Sequence, residues 1–517
     1  NLSFVRSFSP ALHFVDGFKS ARPWIPQRGK KVWDTGAALT LDENGWVTAW
    51  PDATEPVTTE ISTLLFDNIQ GNYPGGQYLV LYEGEGTLTY SRDASKNVSA
   101  SAPGRDVINV TPSSQGILLS ITAINPENYI KNIRVIPAET ETTYTTEIFN
   151  PLYLEKIAPF STLRFMDWGK TNDSPQVNWS DRPTPETATW MRKGVPVEIM
   201  VELANTTQSN PWFTLPHQAT DDYVRNFATY VRDNLAPDLT VYVEYSNEVW
   251  NSIFDQYRWV RDQANAEWPN SSLDEYTKIM DWYSRRTTEV TRIWDEVFGA
   301  DKDRVIGVMA GRSANVGTLT RTLSYAWAEN PLTHAEYGID ALAIAPYFGN
   351  YLGNSNYESQ LLSWMQQPDG SLNIDSGLDT LFTELNEGGQ LVGSNQTGVL
   401  KTIRTQIQNH KNLAEAEGLD WLAYEGGQSL VSTARNPNPA VVNLFSAANR
   451  DPRMGELYDQ YLHLWNEMGG GLMIHYNDIN PNSKSGSWGS LEFVNQTGAP
   501  KYDALVNFIG AAQASGF

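Results

Sequence analysis

Leu239-Thr240-Val241-Tyr242-Val243-Glu244-Tyr245-Ser246-Asn247-Glu248-Val249-Trp250-Asn251 is the stretch on which the fold turns. β-Branched Val241 and Val243 and aromatic Tyr242 and Tyr245 read as a strand, and Pro237-Asp238 punctuates its start. The strand runs out into Ser246-Asn247-Glu248 and then Trp250. A strand that delivers an Asn-Glu pair at its C-terminal end suits a (β/α)8 barrel, whose working groups sit at those ends.

Patterning on either side supports that reading. Strands are expected at 162–167, 195–202, 305–310, 341–347, 419–425 and 471–476, and residues 1–4 supply the first of eight. Helices are expected at about 222–235 (capped by Asp221 or Asp222), 253–266, 273–298, 318–329, 399–417, 453–468 and 502–512, with a brief one at 14–19. Residues 349–397, rich in Gly, Asn and Ser, read as a loose cleft wall. From Lys31 to Ile136 the texture changes to short alternating segments (37–41, 47–50, 78–82, 87–90, 107–110, 117–124, 133–136) separated by turn residues. That spacing is the mark of an antiparallel β-sandwich or barrel. The expected organisation is therefore α/β: a (β/α)8 TIM barrel over 1–30 and 145–517, with an inserted all-β, sandwich-like module over 31–144 between its first and second strands.

Composition narrows the function classes. The 517 residues are 40 % hydrophobic and 19 % charged, as in globular chains. Eighteen Trp, 24 Tyr and 18 Phe exceed what a core alone needs and lean toward flat, sugar-stacking surfaces. A net charge of −23 argues against nucleic acid and disfavours polyanionic substrates. There is no cysteine, and six histidines without an HExxH pattern make a zinc hydrolase a poor fit. Neither GxxxxGK[ST] nor GxSxG occurs. No cofactor is expected; an acidic loop leaves room for a structural calcium. No 18-residue apolar run exists to span a membrane. The chain opens at Asn1 rather than Met, and an upstream signal peptide is the expectation: a secreted, periplasmic or cell-surface protein of bacterial type. Asn-x-Ser/Thr sequons stand at Asn97, Asn109, Asn178, Asn205, Asn270, Asn395 and Asn495, relevant only in a glycosylating source.

The expected strand ends collect Arg164 and Asp167, Asn205, Asn247 and Glu248, Tyr347, Glu425, then His475 and Tyr476. Two carboxyls on facing strands, about 5–5.5 Å apart, form the pair that cleaves a glycosidic bond with retention. Here the chain resembles the clan A glycoside hydrolases, whose signature is Asn-Glu after the fourth strand and Glu after the seventh. The resemblance covers about 1–30 and 150–517 and implies roles residue by residue. Glu248 would be acid/base, Glu425 the nucleophile and Asn247 a donor to the sugar 2-hydroxyl. Arg164 would pair with the nucleophile and Tyr347 would hydrogen-bond it. The chain departs from the clan where Ala345 stands in place of a common His, and where Tyr476, with Trp488 further on, replaces a common Trp.

Each residue also has a plainer reading. Glu248 could be a carboxylate at a helix N-terminus, Glu425 a hydrogen-bonded structural acid, and Arg164 a member of an ordinary buried ion pair. His217 faces the cleft or merely belongs to its loop. His475 is a substrate contact or a satisfied barrel-end histidine. Trp168, Trp212, Trp250 and Trp488 either stack on sugars or pack. The resemblance implies a retaining β-glycosidase of a polysaccharide, a cellulose- or β-glucan-like chain or another plant, algal or microbial glycan; long loops and many rim aromatics suggest an open cleft and internal (endo) cleavage. An inactive carbohydrate-binding protein and a transglycosylase using the same pair remain as alternatives.

Overall fold

In the computed structural model, residues 1–52, 56–326, 332–394 and 396–515 are described. The sequon at Asn395 and the end of the helix expected over 318–329 lie outside them. Six strands form one parallel sheet in the order Thr162–Arg164, Asn210–Leu215, Val241–Tyr245, Val305–Gly311, Ile339–Ile344 and Asp420–Ala423. Strand order equals chain order, so every connection crosses over in the same sense, as parallel strands joined by helices require. The opening stretch lies third, with Trp212 beside Tyr242 and Thr214 beside Glu244 on one side, and Val243 beside Gly307 on the other.

Two further positions are held by isolated backbone bonds. Ile474 N–H donates to Ala423 O at 3.0 Å, and Tyr476 N–H to Gly426 O at 3.0 Å. The terminal amine donates to His475 O at 2.7 Å, while Leu2 N–H donates to Arg164 O at 3.1 Å. These bonds run the circuit from the last strand of the sheet back to its first.

Helices cover the outside with one apolar stripe each. Asp221–Asn234 buries Val224, Phe227 and Val231, and its first turn is capped by Thr220, not by Asp221 or Asp222. Glu275–Phe298 is capped by Asp274 and Val399–Glu417 is closed by left-handed Gly418. The loose wall expected over 349–397 contains two helices, Glu358–Met365 and Ile374–Glu387.

One expected element is of the other kind. The strand placed at 195–202 is the helix Val197–Thr207, which buries Val197, Met200, Val201 and Ala204 at helical spacing. Its Val/Ile-rich composition imitates a strand, but Glu198 and Glu202, four apart, face outward together. The sheet strand follows at Asn210–Leu215.

Residues 25–137 hold two four-stranded antiparallel sheets. One runs Ile25–Gln27, Glu60–Leu65, Ile117–Ile124, Gly86–Arg92; the other runs Lys131–Pro137, Gly76–Glu83, Arg105–Val110, Ala94–Lys96. Ile61, Leu119, Ile121, Ile108, Val80 and Val135 form the apolar filling between them. Buried Lys19 stitches this region to the loop after residue 184: its ammonium donates to Pro185 O and Thr187 O, each at 2.8 Å.

Candidate active site

The C-terminal ends of the strands converge on Arg164. Its guanidinium is completely buried, and every nitrogen is used. Nε and Nη2 donate to Glu244 at 3.1 and 2.9 Å, Nη2 also to Asn247 Oδ1 at 3.0 Å, and Nη1 to Glu425 Oε1 at 2.8 Å. A planar fork is needed to hold three groups from two strands at once, which a lysine could not do. Glu244, absent from the sequence-based candidates, is 1 % exposed and also accepts from Trp212 Nε1 at 2.9 Å. Burial raises its pKa, opposed by Arg164. The signal for it was present: in Val241–Tyr245 a glutamate on a buried strand needs a cationic partner.

Beyond Tyr245 the backbone turns sharply. Ser246 and Glu248 both take left-handed φ, 58° and 42°, a strained choice for non-glycine residues that clusters at functional sites. Asn247 is thereby held between Arg164 and Asn172, donating to Asn172 Oδ1 at 3.0 Å. Glu248 is half-buried and accepts from Tyr424 OH at 2.8 Å and Asn251 Nδ2 at 2.9 Å.

Glu425 follows the last regular strand. It accepts from Arg164 and, through Oε2, from Tyr347 OH at 2.8 Å. Its neighbour Tyr424 reaches Glu248, so adjacent residues of one strand end serve both carboxylates. Burial pushes Glu425 up to about 7; Arg164 pulls it down, Glu248's charge pushes it up, and Tyr347 pulls it down. The two acids therefore act on each other directly. Asp167, from the loop after Thr162–Arg164, is a third acid here: burial, reinforced by Glu425, raises it to about 8, and Tyr476 OH donates to it at 3.4 Å.

Aromatic rings line one side. Tyr347, Tyr476 and Trp488 are half-buried, with ring centroids 5.7–6.4 Å apart and mutual edge-to-face angles. Trp488 is fixed by its Nε1–H to Ser485 O at 2.8 Å.

Other expected site residues are placed elsewhere. Trp168 is fully buried among His13, Phe14, Tyr153 and Phe165, a core ring with no face for a ligand. Trp212 stands within its strand, not on a loop, and takes part in the site through its bond to Glu244. Trp250 is buried with its ring edge-on to Tyr283. Asn205 falls on the helix Val197–Thr207 and ties it to the end of the next helix, accepting from Ala236 N–H at 2.8 Å and donating to Asn234 O at 2.9 Å, so it lies outside the candidate site because 195–202 is helix and not strand. His217 is buried against Trp259, and its burial lowers its pKa to about 4. His475 pairs with Tyr458 OH at 3.2 Å and is held neutral by burial, Lys501 and the terminal amine. No group of three or more His, Asp or Glu side chains suited to a metal ion occurs among the described residues, and no described helix is long and apolar enough to cross a membrane.

Comparison with known proteins gave no matching family model and no matching curated protein. Solved structures do match, at low similarity. A GH5-4 broad specificity endoglucanase from Clostridium longisporum shares 12 % identity at a TM-score of 0.38, over 69 % of this chain and 85 % of that one. The catalytic core of a xylanase A shares 10 % at 0.35, over 70 % and 92 %. A fungal β-1,4-galactanase shares 10 % at 0.34, over 69 % and 91 %.

Proposed function

We propose that the chain is a retaining glycoside hydrolase built on a (β/α)8 barrel with an inserted β-sandwich module, and that it cleaves β-glycosidic bonds inside a polysaccharide. The observation that carries this is the fork of Arg164, which binds Glu425 and Asn247 together while Tyr347 and Tyr424 each serve one of the two acids. An ordinary buried ion pair needs neither a second glutamate nor two tyrosines directed at separate carboxylates.

In this reading the ionised Glu425 attacks the anomeric carbon as Glu248 gives its proton to the departing glycosidic oxygen. The glycosyl ester on Glu425 is then attacked by water, whose proton returns to Glu248; the ester bond breaks and both acids are regenerated. Arg164 and Tyr347 stabilise the carboxylate as it leaves the sugar, and Asn247 holds the 2-hydroxyl. Tyr347, Tyr476 and Trp488 offer apolar faces to the ring. No metal or organic cofactor is needed for this chemistry. Export, the endo mode and a β-glucan-, xylan- or galactan-like substrate belong to the same proposal.

The test is release of reducing ends from a polysaccharide panel by the intact protein and by Glu248→Gln and Glu425→Gln. Each substitution should lower turnover by at least about 10³-fold, the scale of losing a positioned acid or base. Near-normal activity in either variant would sink the assignment.

A further inference from the structure

A second concavity lies between the antiparallel sheets and the loops that lead away from Asn172. It encloses about 890 Å³, at the upper end of what ligand pockets span. Trp24, Asp42 and Asn44 form one wall, and Lys170, Asp173 and Arg192 the other. We propose that this groove is a carbohydrate subsite, holding neutral glycan residues of the same chain beyond those at the carboxylate pair. The inference rests on the hydrolase reading above and extends it to the β-sheets, whose role that reading leaves open.

The walls are tied together before any ligand arrives. Ala188 N–H donates to Asn44 O at 2.8 Å, Trp190 N–H to Lys19 O at 2.8 Å, and Thr189 Oγ1 to Ala21 O at 2.5 Å. With Lys19's two bonds, these leave little conformational freedom to be lost on binding. Trp24 is half-buried, and its Nε1–H donates to Gly45 O at 3.1 Å, which fixes the plane of the ring.

The lining fits a hydroxyl-rich ligand. Four basic and four acidic side chains line the groove, so it has no net formal charge to select an ion; Arg182, Lys193, Asp42 and Asp173 are engaged within the protein, which leaves Lys170, Arg192, Glu43 and Glu186 as donors and acceptors for hydroxyls. Arg192 is exposed and forms no ion pair with any described residue, so its fork is available to neighbouring hydroxyls. The groove also adjoins the carboxylate site. Asp173 N–H donates to Gln256 Oε1 at 3.1 Å, and Gln256 Nε2 donates to Asn247 O at 2.8 Å. Asp173 of the lining is thus linked through one buried side chain, Gln256, to the backbone of Asn247.

The test uses affinity electrophoresis of the full chain carrying Glu425→Gln in gels containing barley β-glucan, xylan or β-1,4-galactan. At least one polysaccharide should retard it. Adding Trp24→Ala should weaken the apparent affinity at least fivefold, and adding Arg192→Ala two- to threefold; Arg192 is exposed, so its loss leaves packing intact. In the active background, the loss of kcat/KM on the polymer should exceed the loss on an aryl glycoside of the same sugar by fivefold. Unchanged retardation in both variants, or no retardation at all, overturns the groove. Release of no reducing ends by the unmodified chain overturns the hydrolase reading instead, and retardation still decides the groove.

Discussion

Glu425→Gln should separate the two consequences of burying a carboxylate at this position. In the folded chain Glu425 moves from its ordinary 4.5 to about 7, chiefly through burial. An acid whose pKa rises on folding contributes stability that is full below 4.5 and is lost as pH climbs to about 7. Each pH unit between 4.5 and about 7 is worth 1.36 kcal/mol, so ionised Glu425 costs the fold about 3 kcal/mol. Glutamine resembles the protonated acid in shape and can keep bonds to Arg164 and Tyr347, but it never ionises. At pH 4.5 the variant and parent should melt within about a degree of each other. By pH 8 the variant should melt about 3 °C higher, because unfolding entropy near 2 cal/mol/K per residue over 517 residues makes 1 kcal/mol roughly 1 °C. Scanning calorimetry at pH 4.5, 6, 7 and 8 reads this, alongside turnover that stays abolished throughout. A difference that is flat with pH, or that widens in the parent's favour, would refute the claim that burial raises the pKa of Glu425.

Tyr347→Phe removes the hydrogen bond that pulls Glu425 down, so the acid limb of the kcat/KM profile should move up by about one pH unit, the size expected for a bond to a charged group; an unmoved limb in a pH–rate series would count against it. Tyr424→Phe should lower kcat about tenfold with little change in KM, because it frees one oxygen of Glu248 without touching the sugar face; steady-state kinetics decide. Glu244→Ala strips a fully buried arginine of its main partner and should cost about 3–5 kcal/mol, read as a fall in Tm together with lost activity as Arg164 swings; a wild-type Tm would show the pair to be dispensable.

Much of this molecule is local and so is legible in its residues. Val241–Tyr245, Ile117–Ile124 and Val399–Glu417 carry periodicities of two or 3.6 that fix their type with little help from the rest of the chain. Asn247, Glu248 and Glu425 could be singled out because a polar tip on an apolar strand is costly unless used. Where apolar residues crowd one segment, as at Val195–Glu202, β-branched composition and helical spacing compete, and tertiary packing chose the helix. That choice moved Asn205 to an outer seam. Burial also lay beyond local reading: Trp168 and Trp488 look alike in sequence, yet one is enclosed by four rings and the other borders the cleft.

The chain alone determined the parallel strand–helix alternation and the acids that end its strands, because both depend on spacing within about ten residues. The resemblance already implied a bond from Arg164 to Glu425; only the tertiary structure decided that Arg164 would also join Glu244 and Asn247, and that Tyr424 would serve Glu248 across a separation of 176 residues. Those contacts are set by how six strands curve together, and the electrostatics follow from the exclusion of water there, which no stretch of sequence contains by itself.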